Sequence, residues 1–401
     1  MSKTNTNPEK IKNLLTHNIK EVIIKEDLEK KLNSGKKLRI KLGCDPSRAD
    51  LHLGHSIALR KLKEFQDLGH QVVFIIGDYT GMIGDPSGKS KTRVALSKEE
   101  VKKNAKSYFA QVGKILDIKK TEIRYNSEWF SKLNFEDVLK LTSKFTIARI
   151  LERDDFSKRF KEGIDIASSE IMYPIMQAYD SIMIDADIEI GGTDQKFNML
   201  AGRDLQRKMK KPEQNIITCS LLVGLDGKEK MSKSLDNYIG ITEDPNSMFG
   251  KIMSISDEMI FYYFKLLTDI SKDSLKKIES KLKDSTKNPR DIKVGLAKNI
   301  ITIYHDKRSA DKAEKEFNKI FRDKQKPTDM KKLKVKSRKL KVVDLLVETK
   351  LADSKGNARR LVQQGGVRID DTVQKDFEKE IEIKNGMIVQ VGKRKFVKIN
   401  C

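Results

Sequence analysis

Seven residues, Gln71-Val72-Val73-Phe74-Ile75-Ile76-Gly77, constrain this chain more than any other stretch. An almost unbroken apolar run of that length, closed by glycine, is the pattern of a strand covered on both faces, as inside a parallel sheet. It is far too short to span a bilayer. Ahead of it come a short strand at residues 39–43, a turn with Asp45 and Pro46, and a helix at about 52–69. After it, Ser97-Lys98-Glu99-Glu100 matches a capping box, and Val101, Ala105, Tyr108 and Val112 continue a helical stripe. Residues 122–125 form another strand candidate, and strand and helix keep alternating through 181–190, 195–208 and 216–222. This alternation predicts an α/β fold, a doubly wound parallel sheet with ligands at the carboxyl ends of its strands.

From about residue 245 strand signals stop. Helical patterns at 259–267, 275–282, 292–304 and 310–321 predict a helical domain over 241–321, behind a catalytic part over 1–240. Residues 322–341 carry ten Lys/Arg against two Asp, a net +8, so 322–340 read as a basic linker. Such a run is ordinarily just solvated, but beside an RNA-binding unit it can touch phosphate. Residues 341–401 read as a small α+β unit. It has a helix at 342–348 and a second helix around Ala358, which follows Ser354 and ends at Gly365-Gly366. A strand follows at 367–370. Ile381 and Ile383 then alternate with acids, Asn385-Gly386 is a hairpin turn signal, and 387–391 returns.

A chain of 401 residues predicts two or three domains and a sizeable buried core. Its 81 Lys+Arg against 58 Asp+Glu give +23. That excess favours a polyanion partner through steering and counterion release, or reflects a lysine-rich proteome; charge alone weighs the two equally. Cys44, Cys219 and Cys401 are odd in number and lack CxxC spacing, and the histidines complete no zinc pattern with them. Residues 1–12 are polar, without an apolar leader core. The expectation is a reduced, cytoplasmic enzyme with no metal site and no membrane association.

Two motifs carry the chemistry. In Asp45-Pro46-Ser47-Arg48-Ala49-Asp50-Leu51-His52-Leu53-Gly54-His55, the two histidines are spaced i, i+3 at the start of a helix. Gly54 removes a side chain where a ligand could approach, and the helix N-terminus supplies positive potential and free N–H groups for phosphate. Imidazole donors there can stabilise charge on a phosphate as pyrophosphate leaves. In Lys230-Met231-Ser232-Lys233-Ser234, after the turn signal Gly224-Leu225-Asp226-Gly227, two mobile ammonium groups suit pyrophosphate. Taken singly, each has a bland alternative, a pair of surface histidines or a solvated basic turn. In this order and context the catalytic reading leads.

Weaker signals surround them. Gly84-Asp85-Pro86-Ser87-Gly88-Lys89-Ser90 imitates a P-loop but encloses three residues between its glycines instead of four, so it is no Walker motif. It follows a strand end and should border the site, with Asp85 free to bind an amine. Tyr173, Gln177 and Asp180 form one polar stripe at i, i+4, i+7, suited to a polar aromatic substrate or simply an exposed helix face. Pro174 means that the helix starts near it or is kinked there. Gly191-Gly192-Thr193-Asp194-Gln195 ends a strand and opens a helix, where glycines admit a sugar edge and Asp194 can hold ribose hydroxyls.

On these residues the chain resembles the bacterial tyrosyl-tRNA synthetases, in the subgroup with Lys-Met-Ser-Lys-Ser and a C-terminal S4-like domain. The resemblance runs over roughly 37–398 and includes residues 81–88, Gln177-Ala178-Tyr179-Asp180, residues 191–195 and 221–238. It implies a Rossmann-like class I synthetase domain, a helical anticodon-binding domain and an S4-like RNA-binding domain. It also implies a homodimer, with the interface in an insertion around 130–171. His52, His55, Lys230 and Lys233 would serve the phosphates as catalytic residues. Gly43, Asp45, Gly54, Gly192, Asp194 and Lys233 would bind ATP. Asp180 would accept the phenol O–H of L-tyrosine, and Tyr173, Gln177 and Asp85 would hold its α-amino group. Gln195 would lie near the carboxyl or ribose. Arg359, Arg360 and Arg368 would contact tRNA(Tyr). No cofactor would be tightly bound; ATP is a substrate and Mg2+ accompanies it. Many members carry tyrosine and cysteine just before the glycine that is Gly43 here. This chain has Lys41 and Leu42, which leaves the second partner of the phenol and one ribose contact open. Asn357 likewise stands where an acid is common in the S4-like pattern.

The nearest rival is a tryptophanyl-tRNA synthetase, which would need no phenol acceptor at Asp180 and usually lacks the S4-like tail. A small-molecule nucleotidyltransferase shares the histidine motif but leaves the helical domain and tail without a task. A non-catalytic RNA-binding relative would not need intact His52, His55, Lys230 and Lys233.

Overall fold

The computed structural model describes residues 4–46, 50–87, 96–323, 330–335, 337–392 and 395–400. Two compact units divide it, Met1–Asp306 and Lys307–Cys401. Parts of three motifs, Ser47-Arg48-Ala49, Gly88-Lys89-Ser90 and residues 324–329 of the basic run, lie outside the described residues, as does Cys401.

The first unit is built on six strands: β1 (Ile19–Ile23), β2 (Arg39–Cys44), β3 (Gln71–Ile76), β4 (Thr121–Tyr125), β5 (Ile188–Gly192) and β6 (Asn215–Cys219). Their order is β1-β6-β5-β2-β3-β4. From β2 the chain steps outward to β3 and β4, and from β5 outward the other way to β6. The reversal lies between β2 and β5, where Ile40 faces Ile188 and Lys41 faces Glu189 in parallel register. β3 is the buried interior strand its composition demands: Val72, Val73, Ile75 and Ile76 are 0% exposed. Each such side chain contributes about 1.5–3 kcal/mol by leaving water.

The sheet corrects one expectation. It is not wholly parallel, because β1 runs antiparallel along β6. Lys20 and Glu21, together with a register shift between Ile19 and Glu21, mark β1 as an edge strand. Among the helices, Leu53–Asp67 lays Leu53, Ile57, Leu62 and Phe65 into the core after β2. Ser97 and Glu100 form the reciprocal capping box at the start of Lys98–Val112. The helix around Pro174 runs over Ser168–Met183, so it begins well before the proline, which sits inside it. Its Ile175, Ala178 and Ile182 pack on Ala201 and Leu205 of the Lys196–Lys208 helix. Helices Pro245–Met253, Met259–Leu267, Lys272–Lys283 and Pro289–Tyr304 belong to the same compact unit as the sheet, so no division falls at residue 241.

The second unit begins with the helix Lys307–Phe321 and contains β7 (Lys331–Lys334), β8 (Lys339–Lys341), β9 (Val367–Ile369), β10 (Thr372–Val373), β11 (Glu380–Glu382), β12 (Ile388–Val391) and β13 (Lys395–Asn400). Five of these form the sheet β10-β9-β12-β13-β7; β11 and β8 pair separately. Helices Val342–Glu348 and Lys355–Gln363 cover its core through Leu345, Leu346, Ala358 and Val362. Gly365, at φ +68°, closes the second helix as the glycine pair predicts. Two expectations differ here. Residues 322–340 are no free linker in their described part, since β7 lies parallel on β13. The turn at Asn385-Gly386 exists, with Gly386 at φ +86°, but the segments it joins do not form a hairpin. β12 pairs with β9 and β13, while β11 pairs with β8, where Glu380 and Glu382 face Lys341 and Lys339. Opposite charges across that ladder favour this partner over the apolar β12.

Candidate active site

A cleft of about 640 Å³ opens at the carboxyl ends of β2 and β5, the point where the strand order reverses. Gly43, Asp45, His52, Gly54, His55, Asp85, Tyr173, Gln177, Asp180, Gly192, Asp194, Gln195, Lys230 and Lys233 all line it. Residues from motifs scattered over the first 233 positions thus share one cavity. At Gly43 an added Cβ would meet nothing within 4 Å, so the open side of that glycine faces free space.

The two histidines build the helix start. His52 is the N-cap, and its Nδ1 accepts from the Gly54 N–H at 3.1 Å, while the His52 N–H donates to His55 Nδ1 at 3.2 Å. With Nδ1 accepting in both rings, the neutral tautomer carries its proton on Nε2. Burial, then the neighbouring His55 and the two lysines, hold His52 well below its ordinary range. Burial and Lys233 push His55 down to about 3. Both imidazoles are therefore neutral donors at neutral pH. The expected free backbone donors are absent from this helix start, since Leu53 donates to the Ile239 carbonyl and His55 to that of His52. Gly54 also has a different reason from the one expected. A Cβ there would lie 3.0 Å from the His52 ring, so the glycine makes room for the imidazole.

The lysine loop closes the opposite wall. Asn237, buried behind it, accepts from the Ser232 N–H at 2.7 Å and donates to Asp226 at 2.6 Å and to the Lys230 carbonyl at 3.2 Å. Lys230 bonds Asp194 at 2.5 Å, which joins two residues expected to serve different parts of ATP. Lys233 is 9% exposed, with its ammonium 5.7 Å from the centre of the Tyr108 ring. The segment after the loop returns to the histidines, with Ile241 N–H donating to Leu51 O and His52 bridged to Gly240.

The polar stripe is no exposed helix face: Tyr173 is 6% and Asp180 4% exposed. Tyr173 donates its phenol to Asp45 Oδ2 at 2.8 Å, and Thr80 donates to Asp45 Oδ1 at 2.7 Å. Trp129 Nε1 donates to Asp180 Oδ1 at 2.9 Å. Burial lifts the Asp180 carboxyl to about 7, against the opposing pull of Lys41 and the Trp129 bond. Lys41 is fully buried. Its ammonium donates to the Gln177 carbonyl at 2.9 Å and to Ser181 Oγ at 2.7 Å, and pairs with Glu189 at 2.9 Å. Its three donors are thus spent on protein.

No motif pointed to Trp129, Glu189, Asn198 or Arg153. Trp129, the only tryptophan, carried a weak signal in its rarity. Glu189, an acid inside an apolar strand facing Lys41, carried another. In the second unit Arg359, Arg360 and Arg368 are all exposed. Arg359 lies over the Phe377 ring at 5.3 Å, and Arg368 alternates outward between buried Val367 and Ile369.

Residues 33–322 match the model of the class I tRNA synthetases (W and Y), and residues 323–399 match the SYY-like C-terminal domain of tyrosine–tRNA ligase. The chain is 50% identical over 393 residues to the tyrosine–tRNA ligase of Thermotoga maritima, covering 98% of each. It is 48% identical over 392 residues to that of Aquifex aeolicus, covering 98% of this chain and 99% of the relative. Among solved structures, the tyrosyl-tRNA synthetase of Archaeoglobus fulgidus, complexed with L-tyrosine, shares the fold at TM-score 0.62 and 24% identity, over 75% of this chain and 98% of that one. The truncated mitochondrial enzyme of Aspergillus nidulans does so at TM-score 0.63 and 22% identity, over 80% and 95%. Sharing that fold, and matched along both units, the chain belongs to the class I tryptophanyl- and tyrosyl-tRNA synthetase family, among its tyrosine–tRNA ligases.

Proposed function

We propose that the cleft joins the carboxylate of L-tyrosine to the α-phosphate of ATP, releasing pyrophosphate, and that the tyrosyl group then passes to the 3′ end of tRNA(Tyr). The observation that supports these roles best is the placement of three groups around one cavity: the neutral imidazole pair, the lysine loop and the buried Asp180 carboxylate. Asp180 accepts the phenol O–H, with Trp129 fixing its other oxygen. Asp85, Tyr173 and Gln177 hold the amino end, with Gln195 beside the carboxylate or ribose. Gly43, Asp45, Gly54, Gly192 and Asp194 border the nucleotide.

One tyrosine carboxylate oxygen attacks the α-phosphorus, and the bond to the bridging oxygen of pyrophosphate breaks. Negative charge grows on the phosphates as this happens. The Nε2–H groups of His52 and His55 stabilise it from one wall and Lys233 from the other, where preorganised donors act most strongly. Ribose hydroxyls donating to Asp194 would release Lys230 to join them. Among the described residues no three His, Cys, Asp or Glu gather as a metal site. Mg2+ would accompany ATP.

The insertion at 130–171 exposes Phe135 at 76%, Ile147 at 58% and Phe160 at 67%, a surface suited to a second copy in a homodimer. Arg359, Arg360 and Arg368 would meet tRNA phosphate, and the helices over 241–321 its anticodon arm. No helix among the described residues is long and apolar enough to cross a membrane, which is compatible with work in the cytoplasm. Lys233→Ala is expected to slow tyrosyl-adenylate formation at least tenfold and leave the Kd of tyrosine within twofold, by pre-steady-state kinetics and equilibrium binding. A wild-type rate in the variant would remove this lysine from the mechanism.

A further inference from the structure

Arg153 does not line the cleft, yet it lies directly behind the part assigned to the amino group of tyrosine. It sits in the 130–171 insertion, between the helices Ile147–Leu151 and Asp154–Lys161, and is 4% exposed. Its guanidinium spends its donors on four residues. Nε pairs with Asp155 at 2.8 Å, Nη1 donates to Asn198 Oδ1 at 3.2 Å, and Nη2 donates to Ser87 Oγ at 2.7 Å and to Asp85 Oδ1 at 3.4 Å. The ring of Phe156 lies 5.0 Å beneath it.

Arginine offers donors only, so each group it meets must present an acceptor. Asn198 therefore turns its oxygen to Arg153 and its Nδ2 outward. That Nδ2 donates to Gln177 Oε1 at 3.0 Å and to Gln195 Oε1 at 3.1 Å. Both glutamines are oriented in turn. Gln177 Nε2 donates to Glu189 at 3.1 Å, and Gln195 Nε2 donates to Asp85 Oδ2 at 2.6 Å. The cation at one end and the two carboxylates at the other thus set the direction of every amide around the amino end, and Arg153 reaches Asp85 both directly and through the relay. Neither amide can flip without placing two acceptors or two donors face to face.

We infer that Arg153 is a positioning residue which, through Asn198, Gln195 and Ser87, holds the Asp85 carboxylate where it receives the α-ammonium of the amino acid. The insertion thereby completes the tyrosine site from outside it. This rests on the reading above that Asp85 holds the amino group.

The test compares L-tyrosine with 3-(4-hydroxyphenyl)propanoate, the same molecule without its amino group, by calorimetric binding to the full-length protein. Wild type is expected to prefer tyrosine strongly. Arg153→Met should weaken tyrosine at least tenfold and the amine-free acid less than twofold, so the preference collapses. A general loosening of the cleft would instead weaken both alike. Asp85→Asn is the reference. If it leaves the preference intact, the reading of Asp85 is wrong. If it abolishes the preference while Arg153→Met weakens both ligands equally or neither, the inference about Arg153 is overturned. Should Arg153→Met fail to fold, Asn198→Asp keeps the arginine pair but removes the amide that orients Gln177 and Gln195. The preference should again collapse, and an unchanged preference in a folded Asn198→Asp variant sinks the relay.

Discussion

Lys41 occupies a position where a substrate contact was open, and the structure assigns it a different task that can be measured. Consider Lys41→Met, which keeps the length of the side chain and deletes its charge. The ammonium and Glu189 are 0% and 1% exposed, on facing positions of β2 and β5. Removing one partner of a buried pair costs about 3–5 kcal/mol, because the other charge stays behind in a medium that solvates it poorly. Glu189 would not be wholly stranded. It still accepts from Gln177 Nε2 at 3.1 Å, Ser181 Oγ at 3.2 Å and Gln214 Nε2 at 2.5 Å. The loss should therefore fall at the low end, about 3 kcal/mol.

Glu189→Met leaves the ammonium with only the Gln177 carbonyl and Ser181 Oγ, and should cost at least as much, about 3 kcal/mol. The double variant buries no charge. It should cost about 2 kcal/mol rather than the sum of the singles, a coupling of about 4 kcal/mol. Urea unfolding followed by Trp129 fluorescence measures this. That is the only tryptophan, is 3% exposed and lies in the first unit, so it reports on the unit that holds the pair. Losses that add to within 0.5 kcal/mol, roughly the scatter of independent sites, would refute the pair as a coupled element. Because all three Lys41 donors are taken by protein, Lys41→Met, which leaves Glu189 in place to hold Gln177, should bind tyrosine within about threefold of wild type, a shift under 1 kcal/mol. A much larger loss would return Lys41 to the phenol contact.

Three further outcomes follow from the same geometry. Asp180 has its carboxyl raised from 3.8 to about 7 by burial, and a phenol donates better to the ionised form. Tyrosine affinity should therefore fall as pH drops through about 7, and Asp180→Asn should flatten that dependence and lose most discrimination against phenylalanine. For stability the sign is opposite, because the folded state favours the neutral acid: the contribution is full below 3.8 and lost as pH rises through about 7, so Asp180→Asn should gain stability relative to wild type at pH 8 and not at pH 3. His55 is pushed from 6.5 down to about 3, so its contribution is full above 6.5 and lost as pH falls towards 3; urea midpoints between those values should decline less in His55→Asn than in wild type. Removing the second unit, residues 307–401, should leave tyrosine-dependent pyrophosphate exchange largely intact, raise the tRNA concentration needed for charging and flatten its salt dependence, since the +8 run and the exposed arginines go with it; unchanged affinity and salt slope in a folded truncation would deny that unit its RNA role.

What the sequence made legible was local. The apolar run of β3, the capping box at Ser97 and the glycines that end strands or helices are each decided by neighbours within a few residues. The residues lining the cleft sit at such places, where strands end and helices begin, so their motifs could be read before the fold was known. β1 was missed because Lys20 and Glu21 interrupt its apolar pattern, as suits an edge. The Asn385-Gly386 dipeptide specifies the turn but not a hairpin. Strand pairing there is chosen by Lys339 and Lys341, more than forty positions away from it.

What supports the site was not local, and this is where local reading stops. Arg153 and Ser87 are 66 residues apart, Lys41 and Ser181 140, and Tyr173 and Asp45 128. No spacing rule links such pairs, because the sheet brings them together only after β2 and β5 have found each other. Gly77 shows the same dependence in a single atom. As the end of β3 it looks like an ordinary strand terminator. In the fold, an added Cβ would lie 2.1 Å from Asp45 Oδ1 and 2.4 Å from Thr80 Oγ1. Those are the two atoms of the bond that orients Asp45, and Asp45 in turn accepts from Tyr173. Any side chain at Gly77 would displace the acceptor of Tyr173 and so disturb the wall of the cleft. The glycine's backbone role was visible in the sequence; its role in the site depends on a contact made across the sheet.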